Sequence, residues 1–311
     1  MILTRKYSAD DKTIWNEFVK NSKNGFFMFN RNYMDYHQAR FEDHSLLFFK
    51  EEKLIALLPA NRKNNLLESH GGLTFGGVLS GNKMSTISML EIFDSLKNYC
   101  VEQEINKLLY KAIPSFYHVM PAQEDLYALF RNNAKLVRRD ASSIIQFDNK
   151  AGYSKGTKWN LGKAKKNNLV IKQSDDFTTF MQMENEILQA KYGTSSTHSA
   201  EEIKLLALLF PENIKLFLIF HEQSCLGGTI IFESSQVAHT QYIAISEAGK
   251  EIGALDFLTD QLIQQYSKSK KYFSFGISTE KQGVHLNEGL MHNKESFGAR
   301  TVVHDFYELA F

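Results

Sequence analysis

From Ile214 to Ile245 the chain repeats one local pattern: an apolar run, two or three polar residues, then another apolar run. The runs Ile214–Phe220, Leu226–Glu233 and Gln236–Ile245 are parted by Glu222-Gln223-Ser224 and Ser234-Ser235, breaks of hairpin length. Such short connections require an antiparallel meander, because a parallel neighbour needs a crossover of about a dozen residues. After the meander, Ile252–Tyr266 reads as a helix and Tyr272–Phe275 as a strand. A short helix carrying Lys294 then runs to a glycine stop at Gly298, before a last strand over Thr301–Leu309. Ahead of the meander, a basic helix over Lys158–Asn168, a strand at Leu169–Lys172, and helices near 176–191 and 200–210 are expected.

The first half carries a weaker version of this order. Ile14, Trp15 and Phe18 mark a helix over 11–21, and Arg31–Phe41 is expected to form a second. Ser45–Lys50 and Leu54–Pro59 flank the charged tip Glu51-Glu52-Lys53 as a hairpin. Ile87–Gln103 is amphipathic, with Leu90, Phe93, Leu96, Tyr99 and Cys100 on the apolar side. Strand 107–112, helix 124–132 and strand 142–147 follow. A chain of 311 residues exceeds the usual single domain. The polar, glycine-containing stretch 148–157 reads as the linker, giving domains 1–149 and 150–311.

The 36 basic and 35 acidic residues leave a formal charge of +1, so no global field favours a polyanion and any such partner must meet a local patch. Cys100 and Cys225 match no metal-ligand spacing and are too few for a disulfide framework, which leaves them as free thiols. The N-terminus is charged by Arg5 and lacks the apolar core of a signal peptide. No apolar run reaches the roughly 20 residues of a membrane span, so a cytoplasmic protein is expected.

Three segments, Lys158-Trp159-Asn160-Leu161-Gly162-Lys163-Ala164-Lys165-Lys166, His239–Ser246, and Tyr272-Phe273-Ser274-Phe275-Gly276-Ile277-Ser278 with Asn287–Gly298, agree in order and spacing with one pattern. Together they resemble the Fem-type peptidyltransferases, double-GNAT proteins that acylate an amine. Gly289, Phe297 and Gly298 match that family's closing motif, while Asn293 stands where it usually has phenylalanine. The resemblance implies two tandem GNAT-like α/β domains, with mixed, mainly antiparallel sheets flanked by helices. It also implies direct attack on a carbonyl without a covalent enzyme intermediate. The acceptor it suggests is a small-molecule or nucleotide-linked amine of the cell envelope, an amino sugar or peptide.

Site residues follow from the motifs. Lys294 matches the family's lysine at the reaction site, where a fixed cation offsets charge on the acyl oxygen; the bland alternative is a lysine at a helix end. His239 is a candidate to take a proton from the attacking amine, and Gln241, on the same face by strict alternation, to orient the acyl carbonyl; Tyr242 is expected to point the other way. Each has a structural reading of similar weight. Ser278 and Asn287, at the ends of the two motif halves, are assigned to substrate binding. His70, in the glycine-rich stretch Ser69–Gly77, is a pocket-edge candidate. Lys163, Lys165 and Lys166, with Lys155 and Lys158, offer a phosphate of a nucleotide- or tRNA-linked substrate a basic helix face, or are simply solvated. His198 precedes a helix capped by Ser199 and Glu202 and is a candidate cleft residue.

A GNAT that uses coenzyme A binds pyrophosphate in a glycine loop opening a helix. Gly249–Ala254 would be that loop, with Lys250 and Gly253 as cofactor-binding residues. Glu251 stands where the first glycine is expected and opposes the anion. Acyl-CoA and aminoacyl-tRNA therefore both stay open as donors. A coenzyme A-dependent N-acetyltransferase acting on a nucleotide-linked amino sugar and a catalytically silent binding module are the competing readings. No serine-nucleophile context and no zinc-ligand pattern is present.

Overall fold

The computed structural model describes Met1–Phe311, the side chain of Tyr192 excepted. The first half runs β1 (Ile2–Lys6), α1 (Lys12–Asn21), α2 (Arg31–Met34), β2 (Glu42–Asp43), β3 (Leu46–Lys50) and β4 (Lys53–Leu58). It continues through β5 (Asn61–Lys63), β6 (Leu66–Glu68), β7 (Leu79–Ser80), α3 (Thr86–Glu102), β8 (Lys107–Lys111), α4 (Glu124–Arg131) and β9 (Lys135–Gln146). The second half runs α5 (Lys155–Ala164), β10 (Val170–Ser174), α6 (Phe177–Tyr192), α7 (Ala200–Leu209), β11 (Ile214–His221), β12 (Ser224–Glu233) and β13 (Val237–Ile245). It closes with α8 (Glu247–Glu251), α9 (Ala254–Tyr266), β14 (Tyr272–Ile277), β15 (Thr279–Glu280), β16 (His285–Leu286), α10 (Glu288–Ser296) and β17 (Arg300–Ala310).

The chain forms two compact units, one of Met1–Asp140, Lys281–His285 and Val303–Phe311, the other of Ala141–Glu280 and Leu286–Val302. Strands β9 and β17 each pass from one unit into the other. In the first unit β1-β3-β4-β7 form one sheet, and β8 pairs with β6 and with the end of β17. Ser85 caps α3 by accepting from the Ser88 amide, and Met89, Ile92, Phe93, Leu96 and Cys100 are its buried stripe. The expected helix over 31–41 is only α2 followed by a tighter 3-10 stretch, Asp35–Arg40, kinked at His37. Local bonds explain the break: Asn30 caps α2, and Arg31, 4% exposed, is bound to Asp35 and Asp43.

In the second unit the sheet order is β10-β11-β12-β13-β14-β9, antiparallel throughout except for β13 against β14. The meander is therefore as the short turns require. Helix α9 lays Leu258, Leu262, Ile263 and Tyr266 against Phe217, Ala238 and Phe273. Each such side chain contributes on the order of 1.5–3 kcal/mol by burial. The Tyr266 hydroxyl donates to Glu233 at 2.7 Å, and Glu233 also pairs with Lys215 and Lys270, so this buried carboxylate is fully compensated. Among the described residues no helix is long and apolar enough to cross a membrane.

Candidate active site

The sheet of the second unit forks beside His239. Strand β13 pairs with β14 only over Val237–His239 against Tyr272–Ser274. At Gly276, whose φ is +73°, the register breaks, and β14 continues on β9 alone, with Gly276 opposite Ser143 and Ile277 opposite Ser142. The Thr240 hydroxyl donates to the Ser274 carbonyl at 3.2 Å at the crotch of the fork. Beyond it, Thr240–Ile245 keep β12 on one side and have no strand on the other among the described residues. Such an edge can form main-chain hydrogen bonds to an extended ligand.

Lys294 reaches this fork from α10. Its ammonium donates to the carbonyls of Gly276 at 3.0 Å and Ile277 at 2.7 Å. The side chain is 6% exposed, and burial pulls its pKa down to about 8. No carboxylate pairs with it among the described residues. An ammonium has three N–H groups, so one remains beyond the two carbonyl bonds. His239 lies on the other side of the same glycine: a Cβ on Gly276 would stand 3.2 Å from the imidazole Cε1. Its Nδ1 is 3.0 Å from the Ser274 hydroxyl. Lys294 and His239 thus converge on one residue, which must be glycine both for its positive φ and for the imidazole above it.

Strict alternation does not hold along β13, and the expected direction of Tyr242 is corrected here. The register shifts between Ile230 and Ile231, which pair with Tyr242 and Thr240, so Gln241 is a bulge residue. Tyr242 pairs with Ile230 and His239 with Phe232, two residues apart on β12, so Tyr242 lies on the His239 face and not opposite it. The Tyr242 hydroxyl is 2.5 Å from His198 Nδ1 and also accepts from the His198 amide at 3.3 Å. Ser196 ties this segment to α6, with its amide and hydroxyl both on Asn185 Oδ1. Next to Asn185, Glu184 is 7% exposed, and burial pushes its carboxyl up to about 7. Its charge bears on Tyr242.

The remaining candidates are dispersed. The Ser278 hydroxyl is buried without a hydrogen-bond partner, while its carbonyl accepts from the Asn287 amide at 2.8 Å. Asn287 caps α10 through the Leu290 amide and donates to Glu280, so both ends of its side chain are engaged. Lys163, Lys165 and Lys166 are exposed on and just after α5, Lys163 over the Trp159 ring at 5.7 Å. The stretch expected as a pyrophosphate loop is largely helix: α8 takes up Glu247–Glu251, and Lys250 pairs with Glu247. Gly253 has φ +78°, and a Cβ there would lie 2.8 Å from the Asn160 carbonyl, so its role is close packing of α9 on α5. His70 belongs to the first unit, at φ +55°, and its buried ring meets His37 with centroids 5.2 Å apart. Burial takes its pKa down to about 3.

Glu184 was invisible in the sequence, because one acid in a mixed helix carries no signal until its burial is known. The Gln241 bulge was equally hidden; a bulge is a feature of pairing.

No family model matches the chain, and the search of curated proteins finds no match. Solved structures do match. The chain superposes on a crystal structure of FemX with a TM-score of 0.68 at 11% identity, covering 99% of this chain and 97% of that one. The C-terminal domain of a putative lysylphosphatidylglycerol synthetase from Agrobacterium fabrum matches with a TM-score of 0.62 at 11% identity, over 97% of this chain and 92% of that one. A tandem GNAT protein from the clavulanic acid biosynthesis pathway matches at 0.52 and 9% identity, over 100% and 98%. The forked sheet, the meander and the full-length superpositions agree: this chain has the FemX-like, tandem-GNAT fold.

Proposed function

We propose that this protein transfers an acyl or aminoacyl group to an amine, with an amino sugar or peptide precursor of the cell envelope as acceptor. The observation that carries the reading is Lys294. A buried cation held by two main-chain carbonyls, with no acid beside it, retains its charge for a ligand. With a pKa near 8 it is mostly protonated at neutral pH.

The acceptor nitrogen attacks the donor carbonyl, forming C–N, and negative charge builds on the carbonyl oxygen. Lys294 offsets that charge, an interaction stronger in the transition state than before it. As C–N forms, a proton leaves nitrogen; His239, held at Nδ1 by Ser274, takes it and returns it to the leaving group as the bond to carbonyl carbon breaks. Thr240–Ile245 offer the donor chain an edge to lie along.

Between donors, the geometry favours an aminoacyl ester of tRNA over acyl-CoA. The stretch that would supply a phosphate loop is taken up by helix α8, and Glu251 in it and Asp256 in the first turn of α9 are acids unfavourable to a nearby anion. The exposed lysines of α5 would meet the tRNA phosphates. The likeness to a putative lysylphosphatidylglycerol synthetase, a name that denotes aminoacyl transfer, supports the same choice. The test is to supply charged tRNAs and, separately, acetyl-CoA, to nucleotide-linked amino sugars and peptide precursors, and to look for a new amide by mass spectrometry. Product from charged tRNA supports the reading. Product from acetyl-CoA alone replaces it with the acetyltransferase, and bound ligand without product replaces it with a binding module.

A further inference from the structure

In the first unit a cleft of about 410 Å³ lies between the end of α1, the β3–β4 hairpin and the start of α3. Small-molecule sites are concave, mostly apolar, and furnished with a few polar groups. Phe18, Leu54, Ile55 and Met84 give this cleft its apolar surface. Leu54 and Ile55 are neighbours on one strand, where successive side chains ordinarily face opposite ways. A bulge lets both line the cleft: Phe48 pairs with Ala56 and Phe49 with Leu54, which leaves Ile55 as the extra residue.

The walls are fixed by bonds that need no ligand. The Gly81 amide donates to the Ile55 carbonyl at 3.2 Å, and the Met84 amide to the Gly81 carbonyl at 2.9 Å. Ser22, just after α1, bridges to Gly81. Ile55 and Met84 rest on the core of the unit behind them.

The charge around the cleft is one-sided. Lys50, Lys53 and Lys83 line it, and no acid is among the lining residues. Lys50 is held by Glu91 at 2.7 Å, whereas Lys53 and Lys83 make no ion pair among the described residues. Glu51 and Glu52, at the hairpin tip, stand outside the lining. Two free ammoniums beside an apolar surface match a ligand with an apolar body and an anionic end. A neutral ligand would leave the cations unused, and a cationic one would be repelled. Phe18 is the one aromatic ring in the lining, so nothing there sandwiches an aromatic body.

We propose that this cleft binds a small amphipathic carboxylate: an alkyl chain lies on Phe18, Leu54, Ile55 and Met84, and its carboxylate sits at Lys53 and Lys83. At roughly 30 Å³ for each non-hydrogen atom, as for a water molecule, the volume suits a chain of about eight to ten carbons. Lys294 and His239 belong to the other unit, so this site is separate from the acyl-transfer centre.

The test uses the whole chain with its methionine methyl groups labelled with carbon-13. It is titrated at neutral pH with octanoate, and in parallel with octan-1-ol and octan-1-amine, which carry the same chain with no charge and with a positive one. The Met84 signal is identified by its loss in Met84→Leu. It is expected to move saturably with octanoate, at an affinity about fivefold or more above that for octanol, and not to respond to the amine. Lys53→Gln combined with Lys83→Gln should bring octanoate down to the level of octanol and leave octanol binding as it was. An unmoved Met84 signal, a movement that does not saturate, or equal affinity for the three ligands overturns the site. Octanoate binding unchanged in the double lysine variant overturns the seat of the carboxylate. Both lysines are exposed, so the variant should fold; if it does not, the comparison of the three ligands on the wild type decides. No acyl transfer enters the measurement, so its failure would leave the reading of Lys294 as it stands.

Discussion

The His239 imidazole lies over Gly276, with 3.2 Å between Cε1 and the place where a Cβ would be. That contact sits where β13 and β14 part, and Gly276 also gives its carbonyl to Lys294. Gly276→Ala would place a side chain at φ +73° and press on the imidazole. We expect a loss of about 1–2 kcal/mol in urea unfolding, with a larger fractional loss of turnover as His239 is displaced. Unchanged turnover would separate His239 from the chemistry.

Lys294→Met is expected to leave the fold intact and to lower turnover about 10²–10³-fold, with little change in acceptor binding. Methionine keeps most of the side-chain volume, so the loss reports charge and not packing. Steady-state kinetics with the true donor and acceptor checks it; full activity would reduce Lys294 to a helix-end residue.

The pH dependence of Lys294 has a definite sign. Its pKa in the fold, about 8, is below the ordinary 10.5, because burial disfavours the ammonium. Below pH 8 both folded and unfolded chains hold the proton, and the burial cost stands in full. Between 8 and 10.5 the unfolded chain holds a proton that the folded one has lost, so stability rises with pH. Compared with Lys294→Met, the wild type should gain up to about 3 kcal/mol across that window, measured by unfolding at fixed ionic strength. Activity should move the other way, falling as pH rises through about 8 and the cation is lost.

Acetyl-CoA is expected to bind weakly, because Glu247–Glu251 is helical and places Glu251 near the would-be pyrophosphate. Calorimetry decides. A dissociation constant below roughly 10 μM, about −7 kcal/mol, would restore the acetyltransferase reading.

Asn287→Ala removes the cap of α10 and the bond to Glu280. About 1 kcal/mol of stability should go with it, together with part of the activity, since fraying α10 loosens Lys294. Asn287→Ser or Asn287→Asp, which still cap, should recover most of both.

Much of this was legible in the sequence. The meander, α9, α10 and the closing strand follow from apolar runs of fixed period broken by short polar turns, and periodicity is local. The 31–41 segment was misread because its pattern is helical while short-range polar bonds, the Asn30 cap and the ties of Arg31 to Asp35 and Asp43, break and tighten it. The motif also pointed to Lys294 and His239 separately, as residues 55 positions apart by their numbers.

The amino-acid order alone determined the meander, α3, α9, α10 and the closing strand, because side-chain period and turn chemistry act over a few residues. Only the tertiary structure decided where β13 leaves β14, that Gln241 bulges beside Tyr242, and that Glu184 is buried. Those depend on strand register and on how much water each group loses, quantities set by residues far apart in the chain.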